Sequence, residues 1–103
     1  MKVYCILSDE RAVHSRSPAM FTTVLKRQGI NAVYVPFAVH PPDLGQALKG
    51  LRVLNVAGAN VTAPFKEAII PYLDILSEGA RIIGAINTVV RDGERLKGYN
   101  TNA

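Results

Sequence analysis

Gly58-Ala59-Asn60-Val61-Thr62-Ala63-Pro64-Phe65-Lys66-Glu67 reads as a strand that ends in a turn and gives way to a helix. Ala57 to Val61 is apolar enough for a buried strand end. Thr62 offers a hydroxyl suited to capping, and Pro64 suits the first turn of a helix, where N–H groups lack partners anyway. Lys66 then sits near a helix N-terminus. A cation gains nothing there from the helix dipole, which favours negative charge at that end, so stability alone does not explain this lysine. Such an end can receive a carboxylate or phosphate, with Lys66 adding charge or transferring a proton. A solvated surface lysine is the competing interpretation.

The strand-to-helix alternation extends in both directions. Upstream, Lys2 to Leu7 is apolar and ends in polar Ser8-Asp9-Glu10-Arg11, which predicts a buried strand delivering a loop at its carboxyl end, where α/β sheets place ligands. That loop closes with His14-Ser15-Arg16-Ser17-Pro18, in which Ser17 can cap a helix and Pro18 take its first position. Met20, Phe21, Val24 and Leu25 share a helical face, and Gly29 stops the run. Val33 to Val39 is a strand whose Pro36 cannot donate to a ladder, so an edge position is expected. Leu44, Ala47, Leu48 and Leu51 then recur at helical spacing, predicting an amphipathic helix over about Asp43 to Leu51. Val53 to Val61 returns to the sheet.

Downstream, Pro71 should kink or end the helix near Ile70, and a second short piece is expected from Ser77 to Ile82. Gly84 to Arg91 reads as a strand, and Asp92-Gly93 as the turn of a hairpin that pairs it with Arg95 to Tyr99. The expected fold is a three-layer α/β domain: a mainly parallel sheet, helices on both faces, and an antiparallel hairpin near the C-terminus.

Composition bounds the function. The 103 residues are enough for one domain, and 49% hydrophobic content with 19% charged residues describes a soluble globular protein. No apolar run is long enough for a membrane span, and the first seven residues resemble a strand more than a signal peptide. Cys5 is the single cysteine, cannot form an internal disulfide, and lies in an apolar run that suits a buried thiol in a reducing cytoplasm. The net charge of +4 comes from scattered Lys and Arg residues, with Lys26-Arg27 the only adjacent pair. No basic stripe follows, so small anionic ligands are favoured over nucleic acid. The two histidines and one cysteine show no metal-ligand spacing. His14 beside Ser15 lacks the glycine-flanked elbow of a serine hydrolase. His40 before Pro41-Pro42 is a solvated turn residue, and no glycine-rich loop suits a dinucleotide.

Four polar clusters remain at or just beyond strand ends: Ser15 and Ser17; Asn60, Thr62 and Lys66; Asn87 and Thr88; and Asn100, Thr101 and Asn102. Each alone is ordinary loop chemistry. Gathered in one crevice, they offer the hydroxyls, amides and single amine that a small polyhydroxylated ligand needs.

In order and spacing, His14-Ser15-Arg16-Ser17-Pro18, Asn60-Val61-Thr62-Ala63-Pro64-Phe65-Lys66-Glu67, Gly84-Ala85-Ile86-Asn87-Thr88 and Gly98-Tyr99-Asn100-Thr101 resemble the amino-terminal substrate-binding domain of shikimate dehydrogenases. The resemblance covers nearly the whole chain. It implies reduction of 3-dehydroshikimate to shikimate in aromatic amino-acid biosynthesis, with NADP held by a nucleotide-binding domain that residues 1–103 do not include. It also implies that Ser15 and Ser17 hold the substrate carboxylate, that Asn60, Thr62 and Asn87 bind ring hydroxyls, and that Lys66 protonates the oxygen formed as hydride arrives. A cytoplasmic homodimer, with no nucleic-acid or membrane partner, is the implied setting.

Three positions depart from the family pattern. Asn102 stands where the family has an aspartate; in the catalytic and substrate-binding position it can hydrogen-bond a hydroxyl but cannot accept a proton. Ser8 to Val13 replaces a shorter glycine-containing turn, and Phe21-Thr22 replaces His-Asn. A shikimate- or quinate-binding module without turnover, or a fragment of a quinate/shikimate dehydrogenase, is the alternative expectation, and a domain kept for assembly is a third.

Overall fold

The first strand, β1 (Lys2–Ser8), is flanked on both sides: by β2 (Ala32–Ala38) and by β3 (Gly58–Val61), each parallel to it. The computed structural model describes residues 1–10 and 17–102, with the backbone alone for residues 17–19 and 21. Three further strands complete a six-stranded sheet: β4 (Ile75–Leu76), β5 (Thr88–Asp92) and β6 (Arg95–Tyr99), in the order β2-β1-β3-β5-β6-β4. β5 is antiparallel to both β3 and β6, whereas β4 runs parallel to β6. The sheet is therefore mainly parallel with the expected hairpin at Asp92-Gly93, where Gly93 takes the positive φ of 62° that the turn requires. Pro36 lies on the edge strand β2, as its missing donor predicts.

Helices α1 (Ser17–Arg27), α2 (Leu44–Val53), α3 (Phe65–Ala68) and α4 (Glu78–Ile83) flank the sheet. Strand side chains alternate between faces, and on one face Cys5 and Leu7 of β1, Ala59 and Val61 of β3 and Val89 of β5 are buried. They form one core with Leu44, Leu48 and Leu51 of α2 and with Phe65 and Ile69 around α3. The three α2 leucines sit on one stripe at the predicted spacing, and each is 5% exposed or less. Cys5 is wholly buried, and burial pushes its thiol up to about 12, as an inert core cysteine requires.

The structure corrects several sequence boundaries. α1 begins at Ser17 itself, with Pro18 second, and Met20 and Val24 on its apolar face are exposed. α2 continues through Val53, so the strand predicted from Val53 contracts to Gly58–Val61. Between them Asn55 takes a left-handed φ of 58°, which a short polar side chain tolerates. Pro64 precedes α3, not opening its first turn, and no side chain caps that helix, so the Thr62 cap does not form. Thr62 contributes its carbonyl, which accepts the Phe65 N–H at 3.0 Å. Pro71 falls in a separate 3-10 turn, Ile70–Tyr72, and the helix ends before it as expected. Gly84, with φ of 77°, closes α4 and does not open a strand. Ser77 caps α4 by accepting the Ala80 N–H at 3.2 Å.

Candidate functional site

Strand direction decides which loops meet. β1 and β3 are parallel, so the residues after Ser8 and after Val61 emerge at the same edge of the sheet. β5 runs opposite to β3, which brings its start, Asn87-Thr88, to that edge; β6 reverses again and returns its end, Tyr99 to Asn102, to the same place. Four segments separated along the chain thus converge. Parallel and antiparallel pairings are both needed to gather these segments.

Backbone bonds lock the convergence. Thr62 N–H donates to Leu7 carbonyl at 3.2 Å and Val61 N–H to Asn87 carbonyl at 2.9 Å. The carbonyl of Lys66 accepts from Ile86 N–H at 2.7 Å, and Asn87 N–H donates to Tyr99 carbonyl at 3.0 Å. Ser8, the one buried polar residue among those described, donates its hydroxyl to Ala63 carbonyl at 3.3 Å. The turn carrying Lys66 is therefore tied to β1 on one side and to the Ile86-Asn87 corner on the other. Its Ala63–Pro64 peptide is cis.

Side chains add a second layer. Asn87 Oδ1 accepts from the Thr88 hydroxyl at 2.9 Å and from Thr101 N–H at 3.1 Å, while its Nδ2 donates to Thr101 Oγ1 at 2.9 Å. Asn100 Nδ2 donates to Ala85 carbonyl at 3.1 Å, and Asn100 Oδ1 accepts Asn102 N–H at 2.9 Å. Asn60 Oδ1 accepts the Tyr34 hydroxyl at 2.5 Å. Lys66 is exposed on the first turn of α3, so its ammonium stands in solvent at the rim and is not spent in the core.

Of the seven predicted site residues, the fold brings Asn60, Thr62, Lys66, Asn87 and Asn102 to one edge. Asn102 is exposed in the turn after β6, bonded to Asn100 and not to Lys66. Ser17 opens α1, but its side chain is not described, and Ser15, with His14, lies outside the described residues. Sequence reasoning missed Ser8 and Tyr34. A polar tip within an otherwise apolar strand was the available signal for Tyr34.

A cavity of about 780 Å³ runs along the sheet face bearing Tyr4, Tyr34, Gly58, Asn60, Thr88 and Val90. It reaches the convergent edge only through Asn60 and Thr88; Lys66 and Asn87 stand beyond its rim. The described residues do not fit a dinucleotide. β1 leads into Ser8-Asp9-Glu10 and β3 into Thr62-Ala63-Pro64, without the glycines that let a pyrophosphate approach the backbone.

A family model described as the shikimate dehydrogenase substrate binding domain matches residues 9–89. The NADP(+) shikimate dehydrogenase of Geobacter metallireducens is 54% identical over 89 residues, covering 86% of this chain and 31% of the relative. A crystal structure of shikimate dehydrogenase in complex with NADP+ superposes with a TM-score of 0.93 at 38% identity, covering 99% of this chain and 35% of that one. The Thermus thermophilus enzyme in complex with NADP(H) and shikimate superposes at 0.91 with 37% identity, covering 100% of this chain and 39% of that one. The chain thus spans about a third of the length of the relatives it matches.

Proposed function

The chain belongs to the family of shikimate dehydrogenase substrate-binding domains, and on that premise we propose that it holds the substrate of an NADP-dependent oxidoreductase that interconverts 3-dehydroshikimate and shikimate. The convergence of Asn60, Thr62, Lys66 and Asn87 at one sheet edge carries this reading. Hydroxyls and amides in that number suit a small acid rich in ring hydroxyls. Ser15 and Ser17 take the carboxylate, and Asn60, Thr62 and Asn87 take the ring hydroxyls. Lys66, an exposed ammonium on a turn pinned at its own carbonyl, gives its proton to the substrate oxygen as the carbonyl is reduced.

NADP belongs to a part of the enzyme outside these 103 residues, and when bound it supplies the hydride. Relatives three times as long as the match support that placement. A homodimer in the cytoplasm belongs to the same reading.

Asn102 favours a second reading, a shikimate- or quinate-binding module without turnover. An amide there bonds a hydroxyl but cannot share a proton with Lys66. Calorimetric titration of shikimate into the chain tests the site itself. Saturable heat weakened by Ser15→Ala and by Asn87→Ala is the expected result, and heat unchanged by both would contradict the assignment.

A further inference from the structure

Tyr34 belongs to β2 and Asn60 to β3, with β1 lying between them, so the bond joining the two side chains spans a whole strand. In register Tyr34 lies beside Tyr4 and Tyr4 beside Gly58, while Asn60 is two residues further toward the convergent edge. The Tyr4 ring lies against Gly58, where an added Cβ would come within 3.3 Å of it.

Tyr34 is held at both ends. Its backbone N–H donates to Thr22 Oγ1 at 3.1 Å, and the Thr22 hydroxyl donates to its carbonyl at 3.1 Å. The residue is 8% exposed, so its ring has little freedom. Asn60, by contrast, is exposed at the rim, and among the described residues its Nδ2 has no hydrogen-bond partner. An asparagine amide has two faces that differ chemically: an acceptor oxygen and a donor NH2. Which of them meets a ligand depends on what holds the other.

We propose that Tyr34 is a positioning residue that keeps Asn60 Oδ1 turned inward against its hydroxyl and Nδ2 turned toward the ligand, so that the site presents a donor at this point and selects a ligand group able to accept. The inference rests on the reading of Asn60 as a substrate contact. A ring hydroxyl satisfies the donor, whereas an ammonium placed there is refused, because it has no lone pair to offer. Burial pushes the Tyr34 phenol up to about 12, with the Cys5 sulfur adding to the effect, so the hydroxyl keeps its proton throughout the physiological range.

A double-mutant cycle with shikimate as the probe decides the matter. Tyr34→Phe is expected to weaken binding about fivefold, the size of one net neutral hydrogen bond. In the Asn60→Ala background the same change should have no further effect. In the 15N-labelled chain, Tyr34→Phe should move the Asn60 side-chain NH2 signal, and a shikimate analogue with an amine in place of the contacted hydroxyl should be discriminated less. Equal weakening in both backgrounds would make Tyr34 a packing residue and overturn the proposal while leaving the substrate reading intact. An unmoved Asn60 NH2 signal would overturn it whatever the ligand does. Asn60→Ala binding shikimate as tightly as the unaltered chain would remove Asn60 from the substrate contacts, and the proposal with it.

Discussion

The carbonyl of Lys66 and the N–H of Ile86 are joined at 2.7 Å, so the residue proposed to move a proton is clamped through its backbone to the corner that carries Asn87. The clamp leaves the Lys66 side chain free. Position and chemistry are thereby separated: the main chain fixes where the amine starts, and the exposed side chain supplies the proton.

Lys66→Ala should therefore change stability by no more than about 0.5 kcal/mol, as surface substitutions usually do. In the full-length enzyme it should cut turnover at least about 100-fold, the lower end of what a positioned acid contributes. Thermal melts and steady-state rates on the same preparation check both parts. A large fall in melting temperature would make Lys66 structural.

Asn102→Asp should raise turnover in the full-length enzyme, because a carboxylate can share a proton with Lys66 and an amide cannot. Its backbone N–H bond to Asn100 is indifferent to the change, so folding should be unaffected. Equal rates for Asn and Asp would exclude any proton-handling role at this position.

Asn87→Ala should lower unfolding free energy by about 1–2 kcal/mol, since it removes several hydrogen bonds at once. The loss falls on the segment after β6, which Asn87 holds through Thr101. Faster hydrogen exchange at Thr101, with exchange in β1 unchanged, is the signature to look for.

Alkali should destabilise the fold through two groups. The Cys5 thiol rises from 9.0 to about 12 and the Tyr34 phenol from 10.0 to about 12, both chiefly because burial disfavours their charged forms. The folded chain then binds more protons than the unfolded one over that range. Their contribution is fully present below about pH 9 and is lost as pH rises through about 12. Denaturant midpoints measured from about pH 8 to 12 should fall, and Tyr34→Phe should flatten the part of the slope above about pH 10.

Much of this was legible from residues alone because it rested on short-range physics. The leucines of α2 repeat at helical spacing, Pro36 lacks a donor, and Asp92-Gly93 fits a tight turn. What escaped the sequence depended on partners far along the chain. Val53 looks like a strand residue, but α2 carries on through it until Asn55 turns the chain. Gly84 suits either a strand start or a helix stop, and the left-handed φ that closes α4 decides it. β4 has two residues, too few to show any period. The four polar clusters could be named, but the reversal of β5 that brings Asn87 beside Val61 is a tertiary fact. The Tyr34–Asn60 bond crosses 26 positions of sequence and leaves no local trace.

The Thr22 hydroxyl that fixes Tyr34 has a second effect, on the outer border of the sheet. Along β2 the residues that do not bond β1 are Ala32, Tyr34, Pro36 and, at the strand's end, Ala38. Ala32 gives its N–H to the Ile30 carbonyl at 3.0 Å, Tyr34 gives its own to Thr22, and Pro36 has none. An incoming strand from another molecule would find no free main-chain donor from Ala32 to Pro36, which disfavours edge-to-edge pairing along that part of the border. At the opposite border β4 offers only two residues. Both borders of the sheet thus offer little to a strand seeking a partner, and at one of them the contact responsible is the one that also holds the Tyr34 main chain in place.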